Sequence, residues 1–422
     1  MVEASYYKKI IESLRKGVPP KRGVQEYSVG HDKLIDGIKK YLMDCISDMG
    51  IIRFVCGSWG SGKTHLFRLL TEVGFKENII VSTVELNATS TLLNKFNTIF
   101  AEIIRQIKSP YYYQTSEIEE ELISFNSILQ EAYYYHCYGV RNKINPISPQ
   151  EHQKAINALM ANRQIDIDFK KMVISYWESL KEESPDYIQK QEEIVQWFCG
   201  EGTIGQYRKK YGVSKIITKE NSKLMLQSLV NFIKFSGYKG LMILFDEAEQ
   251  YYSIIRKSDL QQAHNNLLAL INNIESLSGL ILIYATTPDF FIDERYGIQR
   301  YGALAGRIGK PEENRPPRAI DTIWNLDVVK FDREQYLEVS KKIRDIYCRA
   351  YPDSIDKLPN ESELATRVDE LYGKNHSMSQ MRFWRFFVIA IINILIDHVE
   401  GTIRTTNEIT TDILEKLKED DL

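Results

Sequence analysis

The octapeptide GSWGSGKT at residues 57–64 stands between an apolar run and a stretch with helical periodicity. It matches the pattern G-x-x-x-x-G-K-[ST], in which glycines let backbone N–H groups wrap an anion at the start of a helix. The apolar run IIRFVC at residues 51–56 predicts a buried strand before the loop, and the helix is expected to begin at Lys63. A glycine turn that arose by chance would not be expected to have a strand before it and a helix after it. The octapeptide therefore predicts a phosphate-binding loop.

Two side chains at the end of this loop and two acids further along have predicted chemical roles. Lys63 should neutralise the β- and γ-phosphates of a nucleotide, and the Thr64 hydroxyl should ligate Mg²⁺. The apolar run LMILF at residues 241–245 predicts a second strand, and Asp246 and Glu247 follow it directly. Asp246 should hold Mg²⁺, directly or through water, and Glu247 should orient and deprotonate the attacking water. Acids often cap strand ends, but with the loop these two predict nucleotide hydrolysis as well as binding.

A third apolar run, LILIY at residues 280–284, leads into Thr286. A hydroxyl at this strand end could sense the γ-phosphate or position the water, although the sequence TTP could equally do no more than end the strand. Asn87, after the predicted strand at residues 79–86, is a candidate restraint on Glu247, with an ordinary turn residue as the alternative. Strands that are almost wholly apolar indicate a parallel sheet covered by helices on both faces.

The order of these elements resembles the AAA+ superfamily of P-loop ATPases, and several stretches are more closely similar to the ATP-binding proteins of BREX (bacteriophage exclusion) defence systems. The matching stretches are LRKGVPP (14–20), YSVG (27–30), FVCGSWGSGKT (54–64), GYKG (237–240), FDEAE (245–249) and ATTP (285–288). The resemblance implies an α/β fold of the P-loop NTPase (AAA+-like) type, with a parallel sheet flanked by helices, a large helical insertion and a C-terminal helical lid. It also implies ATP and Mg²⁺ as ligands.

The same resemblance implies further site residues, one of which acts on a neighbouring subunit. AAA+ relatives place an arginine of one subunit at the γ-phosphate of the next, where it stabilises the charge of the transition state. Arg307 best matches that position and Arg300 is second, whereas the alternative is a surface arginine in a basic loop. Arg382 matches an arginine at the start of a lid helix, and the segment with Val29 and Gly30 should pack on the adenine.

The predicted nucleotide contacts combine the loop and this segment. They are Gly57, Ser58, Trp59, Gly60, Ser61, Gly62, Lys63, Thr64, His65, Val29 and Gly30.

The spacing of the motifs predicts how the 422 residues are divided. Lys63 and Asp246 lie 183 positions apart (246 − 63), far more than a compact core of this kind needs. The excess falls in a Tyr- and Gln-rich segment with helical periodicity and no buried-strand pattern. We expect N-terminal helices and the first part of the core in residues 1–108, a helical insertion in 109–218, the second part of the core in 219–326 and a helical lid in 327–422.

Charge and composition constrain the partners and the compartment. The net charge is −3, so the whole chain has no general attraction to nucleic acid, and any contact with DNA must come from a local basic patch or from a partner. The residues of one such patch are Lys8, Lys9, Arg15, Lys16, Lys21 and Arg22, which could equally form a solvated face. The longest apolar run, around residues 386–396, is too short to span a bilayer. The charged N-terminus and five scattered cysteines favour the cytoplasm.

Three functions compete at this stage. The first is an ATP-hydrolysing AAA+-like component of an anti-phage defence complex, a homo-oligomer that works with DNA or with a partner such as a helicase. The second is a nucleotide switch without turnover. The third is an initiator-type or DNA-loading ATPase outside defence, for which the residues after Arg382 leave little room for a DNA-binding domain. Glu247 favours hydrolysis over a pure switch.

Overall fold

A computed structural model describes residues 2–86, 94–111, 124–181, 186–247, 257–374, 380–402 and 404–419. Asn87 and the side chain of Arg382 lie outside the described residues.

The described strands form one sheet, in the order β3-β2-β4-β5-β1-β6. The strands are β1 (Ile51–Cys56), β2 (Ile79–Glu85), β3 (Ile107–Lys108), β4 (Gly240–Asp246), β5 (Leu280–Thr286) and β6 (Ile323–Asn325). All neighbours are parallel except β3, a two-residue edge strand that runs antiparallel to β2. The predicted parallel sheet is confirmed, with an antiparallel edge strand that the apolar pattern does not reveal.

Helices cover both faces of this sheet. They are α1 (Val2–Arg15), α2 (Val24–Tyr27), α3 (Asp32–Ile38, continued by the π-helical residues Lys39–Met43), α4 (Lys63–Lys76), α5 (Phe96–Gln106), α6 (Phe125–Tyr138), α7 (Pro149–Ala161), α8 (Ile167–Ser179), α9 (Tyr187–Phe198), α10 (Ile204–Tyr211), α11 (Ser222–Phe235), α12 (Lys257–Asn273), α13 (Asp289–Ile292), α14 (Gly302–Ile308), α15 (Arg333–Ala350), α16 (Glu361–Tyr372), α17 (Gln380–Glu400) and α18 (Thr406–Glu419). Every residue of β4 and β5 is buried, as expected for strands between two helical layers.

Two hydrophobic cores lie on opposite faces of the sheet because successive strand residues point in opposite directions. In β4, Leu241 and Ile243 belong to one core, which includes the central helices α5 to α11. Met242 and Leu244 belong to the other, which includes α1, α3, α4 and the C-terminal helices α15 to α18. The N-terminal and C-terminal helices therefore share a face of the sheet.

Contacts between distant parts of the chain hold these layers together. Helix α1 packs against α15 and α17, and the Arg349 guanidinium donates a hydrogen bond to the Tyr7 hydroxyl at 2.7 Å. On the opposite face, the Tyr133 ring of α6 is buried and stacks on Trp177 of α8 with centroids 5.3 Å apart. Tyr133 thus packs in a helical core. Of the helices that the structure describes, none is long and apolar enough to cross a membrane.

Candidate functional site

The glycine-rich loop connects β1 to α4 at the carboxyl edge of the sheet. Gly60 and Gly62 have φ of +76° and +88°, in the left-handed region where a side chain is disfavoured. Gly62 is the N-cap of α4, and no side chain caps the helix there. The first N–H groups of α4 are therefore left to another acceptor, and together with the helix dipole they favour an anion.

Lys63 is folded back over this loop. Its side chain is buried, and its Nζ donates to the carbonyl oxygens of Gly57 at 2.8 Å and Ser58 at 3.2 Å. The same ammonium lies 5.7 Å from the centroid of the Trp59 ring, which is 69% exposed. A phosphate group entering the loop would thus meet a cation already held at its centre, since the loop's own carbonyls position Lys63.

Thr64 and Asp246 meet across the sheet, although they are far apart in sequence. The Thr64 hydroxyl lies 3.4 Å from Oδ2 of Asp246, and Oδ1 of that carboxylate accepts the Glu247 N–H at 3.0 Å. Asp246 is buried at the end of β4, and burial is the main cause that raises the pKa of its carboxyl, with the nearby Glu247 charge adding to it. A divalent cation beside this carboxylate would offset the cost of burying its charge.

The donor set at this position fits Mg²⁺ rather than a cation held entirely by protein. No group of three or more His, Cys, Asp or Glu side chains that could hold a metal occurs among the described residues. Mg²⁺ is commonly bound by one or two protein oxygens while phosphate and water complete its octahedron. The Thr64 hydroxyl and the Asp246 carboxylate fit such an arrangement.

Glu247 has an unusual backbone conformation. Its φ is +53°, a left-handed value that costs free energy in a residue with a β-carbon. Strained backbone of this kind is concentrated at active sites and ligand-binding segments. The end of β4 is therefore a candidate position for a functional side chain.

Thr286 lies between the loop and the acids because β5 is the strand between β1 and β4. Its backbone carbonyl accepts the Gly57 N–H at 3.1 Å, which joins the end of β5 to the start of the loop. The Thr286 hydroxyl is buried, and so is the hydroxyl of Ser61; neither has a hydrogen-bond partner within the described ranges. Two buried hydroxyls without partners at one strand edge fit a polar ligand that would satisfy them.

The predicted adenine segment is attached to the helix that carries Lys63. The His65 ring does not point toward the phosphate side: its Nε2 lies 2.8 Å from the Ser28 hydroxyl and its Nδ1 lies 3.2 Å from the Tyr27 hydroxyl. Ser28 donates its own proton to the Val24 carbonyl, so it accepts from Nε2–H of His65, and Nδ1 accepts from Tyr27. Burial lowers the pKa of His65 to about 3, and nearby His31 lowers it further in the same direction.

Two other contacts fix this segment. One Glu72 oxygen accepts hydrogen bonds from the backbone N–H groups of Gly23 and Val24, and the other accepts one from Gln25. The carboxylate of this α4 residue therefore caps the start of α2. At its other end, the Lys342 ammonium of α15 donates to the Ser28 carbonyl at 2.8 Å. Helix α4, the segment before Gly30 and the C-terminal helices thus meet at Ser28.

Gly30 adjoins this junction and has no room for a side chain. Its φ is +76°, and a β-carbon there would lie 2.6 Å from the Phe331 ring. Val29 is buried beside it. The predicted base-contacting residues therefore lie close to the start of the C-terminal helical region.

The arginines predicted to act on a neighbouring subunit lie on the surface. Arg307 is exposed near the end of α14, and its guanidinium donates to the Ala303 carbonyl one turn earlier. Arg300 is also exposed and donates to the Arg295 carbonyl. Both guanidinium groups are therefore exposed and hydrogen-bonded within their own segments.

Sequence reasoning missed Asp327, which contacts the glycine-rich loop. Its Oδ1 and Oδ2 each lie 3.0 Å from the Ser58 backbone N, and Oδ2 also accepts from the Ser58 hydroxyl at 2.8 Å. The available signal was an acid two residues after the short strand β6, which is a weak pattern because acids often follow strands. The capping role of Glu72 was also missed. The sequence carries no signal for that role, since Glu72 resembles any acid on an amphipathic helix.

Comparison with known proteins agrees with this geometry at the level of the family. The family model described as BREX system ATP-binding protein BrxC/D matches residues 2–410, nearly the whole chain. Searches of the curated proteins and of the solved structures gave no match. The family match spans the glycine-rich loop, the Asp246–Glu247 pair and the C-terminal helices up to residue 410. The chain therefore belongs to the BREX system ATP-binding protein BrxC/D family.

Proposed function

We propose that this chain is a Mg²⁺-dependent ATPase of a BREX defence complex, with a P-loop NTPase core of the AAA+ type. The observation that carries the proposal is the meeting of three features at one sheet edge: the glycine-rich loop with its buried lysine, the Thr64–Asp246 pair 3.4 Å apart, and the strained Glu247 beside it. In open parallel sheets, ligands bind outside the carboxyl ends of the strands, which is where these residues lie. The family's ATP-binding description supports the choice of nucleotide.

The residues would divide the work as follows. The N–H groups at the start of α4 and the Lys63 ammonium would bind the phosphates. Thr64 and Asp246 would hold Mg²⁺, which would supply positive charge beside the phosphate oxygens. Glu247 accepts a proton from water as the water oxygen attacks the γ-phosphorus. The bond from that phosphorus to the β–γ bridging oxygen breaks, and ADP and phosphate leave. The Thr286 hydroxyl would orient the water or contact the γ-phosphate.

The larger architecture fits the same proposal. Residues 109–218 would form an insertion in the core, and residues 327–422 a lid whose Arg382 approaches the nucleotide. Val29 and Gly30 would contact the base. Other components of the BREX system are the expected partners, and DNA would be reached through them or through a local basic patch.

The proposal is tested by ATP binding and turnover in the wild type, Lys63→Ala and Glu247→Gln. We expect Lys63→Ala to lose both binding and turnover, and Glu247→Gln to bind ATP while turnover falls by at least about 100-fold. Each protein is assayed alone, with DNA, and with the other components of its defence system. A wild type that binds ATP but never turns it over under any of these conditions would instead be a nucleotide switch. Stimulation by DNA alone, independent of defence components, would favour a DNA-loading ATPase.

A further inference from the structure

The carboxylate of Asp327 lies against the phosphate loop at a point set by strand register. Cys56 of β1 pairs with Asn325 of β6, and the Leu326 N–H donates to the Cys56 carbonyl at 2.8 Å. Ser58 and Asp327 each lie two residues beyond that pair, on the segments that follow β1 and β6. The contact between them therefore continues the pairing of β1 with β6 past the ends of both strands.

The backbone at Asp327 is itself held in place by hydrogen bonds. The Asp327 N–H donates to Oδ1 of Asn325 at 3.1 Å, and Nδ2 of that buried asparagine donates to the Glu312 carbonyl at 2.9 Å. Asp327 is exposed, but both of its oxygens are directed at the Ser58 N–H, and one of them also accepts the Ser58 hydroxyl. Hydrogen bonds to an ionised acceptor are stronger than those between neutral groups.

Ser58 is held on its other side by the cation of the site. Its carbonyl oxygen accepts from Nζ of Lys63 at 3.2 Å, while its N–H and hydroxyl donate to Asp327. One residue of the loop thus links a carboxylate anchored on β6 to the ammonium that would meet the phosphates. Loss of the carboxylate would free the first turn of the loop. Through the Ser58 carbonyl, it would also weaken one of the carbonyl contacts that position Lys63.

We propose that Asp327 is a positioning residue for the phosphate loop, which it holds in the phosphate-binding conformation through Ser58. This inference rests on the proposed function, because it concerns the same phosphate site. It also connects that site to the C-terminal helices, since Asp327 lies a few residues before α15 begins at Arg333.

The test compares wild type with Asp327→Ala, Asp327→Asn and Ser58→Ala in the full chain. Affinities for Mg·ATP and for inorganic tripolyphosphate are measured by calorimetry well below the melting temperature. We expect Asp327→Ala to weaken both ligands by the same factor, about tenfold, because it removes the acceptor of the Ser58 N–H and hydroxyl. Asp327→Asn should stay within about threefold of wild type because an amide oxygen still accepts the N–H. Ser58→Ala keeps the backbone bonds and should fall between the two.

Steady-state kinetics add a readout that a purely structural role would not change. Asp327→Ala should raise KM for ATP while kcat stays within about threefold, because the loop binds ground state and transition state alike. Unchanged affinity with only a lower melting temperature would overturn the proposal. Tighter binding in both Asp327 variants would also overturn it, because it would show that the carboxylate repels the phosphates. A wild type that binds tripolyphosphate but not ATP would refute the proposed function and leave the Asp327 test intact. A wild type that binds neither ligand would refute both.

Discussion

At the scale of single residues, Glu247 combines the proposed proton acceptor with a left-handed backbone. The φ of +53° is one that glycine adopts without penalty, whereas a residue with a β-carbon loses about 1 kcal/mol or more there. A carboxylate kept at such a position suggests that its side chain is needed, because a more stable residue exists for that backbone.

Glu247→Gly and Glu247→Ala separate the backbone effect from the loss of the carboxylate. Both should abolish turnover, since neither can accept a proton. The glycine variant should nevertheless be more stable than the alanine variant by about 1 kcal/mol in chemical unfolding, because only alanine retains the steric conflict. If the two variants are equally stable, or if the alanine variant is more stable, the backbone at Glu247 is not strained.

His65 provides a second prediction at this scale. It joins the helix of the phosphate loop to Ser28, next to the proposed base contacts. His65→Phe keeps the ring but removes the hydrogen bonds, and we expect the affinity for ATP to fall about fivefold, the equivalent of one net hydrogen bond, while tripolyphosphate affinity stays within about twofold. His65→Gln, whose Nε2 can donate to Ser28, should restore most of the loss. An equal loss for both ligands would mean that His65 supports the whole site rather than the base segment.

At the scale of elements, the turn between α11 and β4 attaches the central helices to the core. Gly237 has φ of +81°, and a β-carbon there would lie 2.6 Å from the Tyr135 ring of α6. The Gly237 carbonyl accepts from Asn78 beside β2 at 3.1 Å and from Arg141 after α6 at 2.8 Å. One turn thus receives hydrogen bonds from both the core and the central helices.

Gly237→Ala tests this attachment. We expect a loss of about 2 kcal/mol in the free energy of unfolding, from the left-handed backbone and from the clash with Tyr135. Adding Tyr135→Ala should recover the steric part, so the double-mutant cycle should show a favourable coupling of about 1 kcal/mol. Simple additivity of the two substitutions would show that the ring can move aside without cost.

A buried acid lies next to the same turn. Glu131 of α6 accepts a hydrogen bond from the Tyr238 hydroxyl, and the Arg141 guanidinium lies over the Tyr238 ring, 4.1 Å from its centroid. Burial raises the pKa of Glu131 from 4.5 to about 7, whereas the hydrogen bonds and Arg141 act in the opposite direction. The folded protein therefore keeps a proton on Glu131 at a pH where the unfolded chain has lost it.

This difference predicts how stability depends on pH. Between pH of about 4.5 and about 7 the folded state binds the extra proton, so the free energy of unfolding should fall as pH rises through this window and then level off. Glu131→Gln is neutral throughout and keeps an acceptor for Tyr238. Unfolding midpoints at pH 5 and pH 8 should therefore differ less in the variant than in the wild type, and the same change in both would exclude Glu131 as the source.

At the scale of the whole molecule, the proposed action of Arg307 on a neighbouring subunit predicts an assembly. For Arg307 to act in this way, a second subunit must bring its own glycine-rich loop to the exposed face of α14. We expect Glu247→Gln with saturating ATP to form homo-oligomers in light scattering. Arg307→Ala should bind ATP with affinity near that of wild type but lose most of its turnover, with Arg300→Ala as the matched control. A Glu247→Gln protein that stays monomeric with ATP would count strongly against Arg307, and loss of turnover in Arg300→Ala alone would transfer the role to Arg300.

How far the sequence predicts this structure depends on the separation of the residues in contact. Strand β1 and the start of α4 have the predicted bounds because both follow from local patterns. The position of β5 between β1 and β4, and hence of Thr286 beside the loop, is not encoded in any one segment. Asp327 contacts Ser58 across 269 positions, and such a pair leaves no local pattern. The sequence therefore predicts the candidate site where motifs mark its residues, as with Thr64 and Asp246, and not where a contact such as that of Asp327 with Ser58 lies outside any motif.

The packing of α1 against α15 and α17 also has a consequence for synthesis on the ribosome. The apolar side of α1, with Tyr7, Ile10, Ile11 and Leu14, is buried in a core that the C-terminal helices help to form. Roughly 300 residues must be translated between α1 and α15, which takes about 15–60 s at ~5–20 residues per second. During that interval the helix has no permanent partner from the C-terminal region. Helix α1 can therefore reach its final packing only after the C-terminal helices have been synthesised.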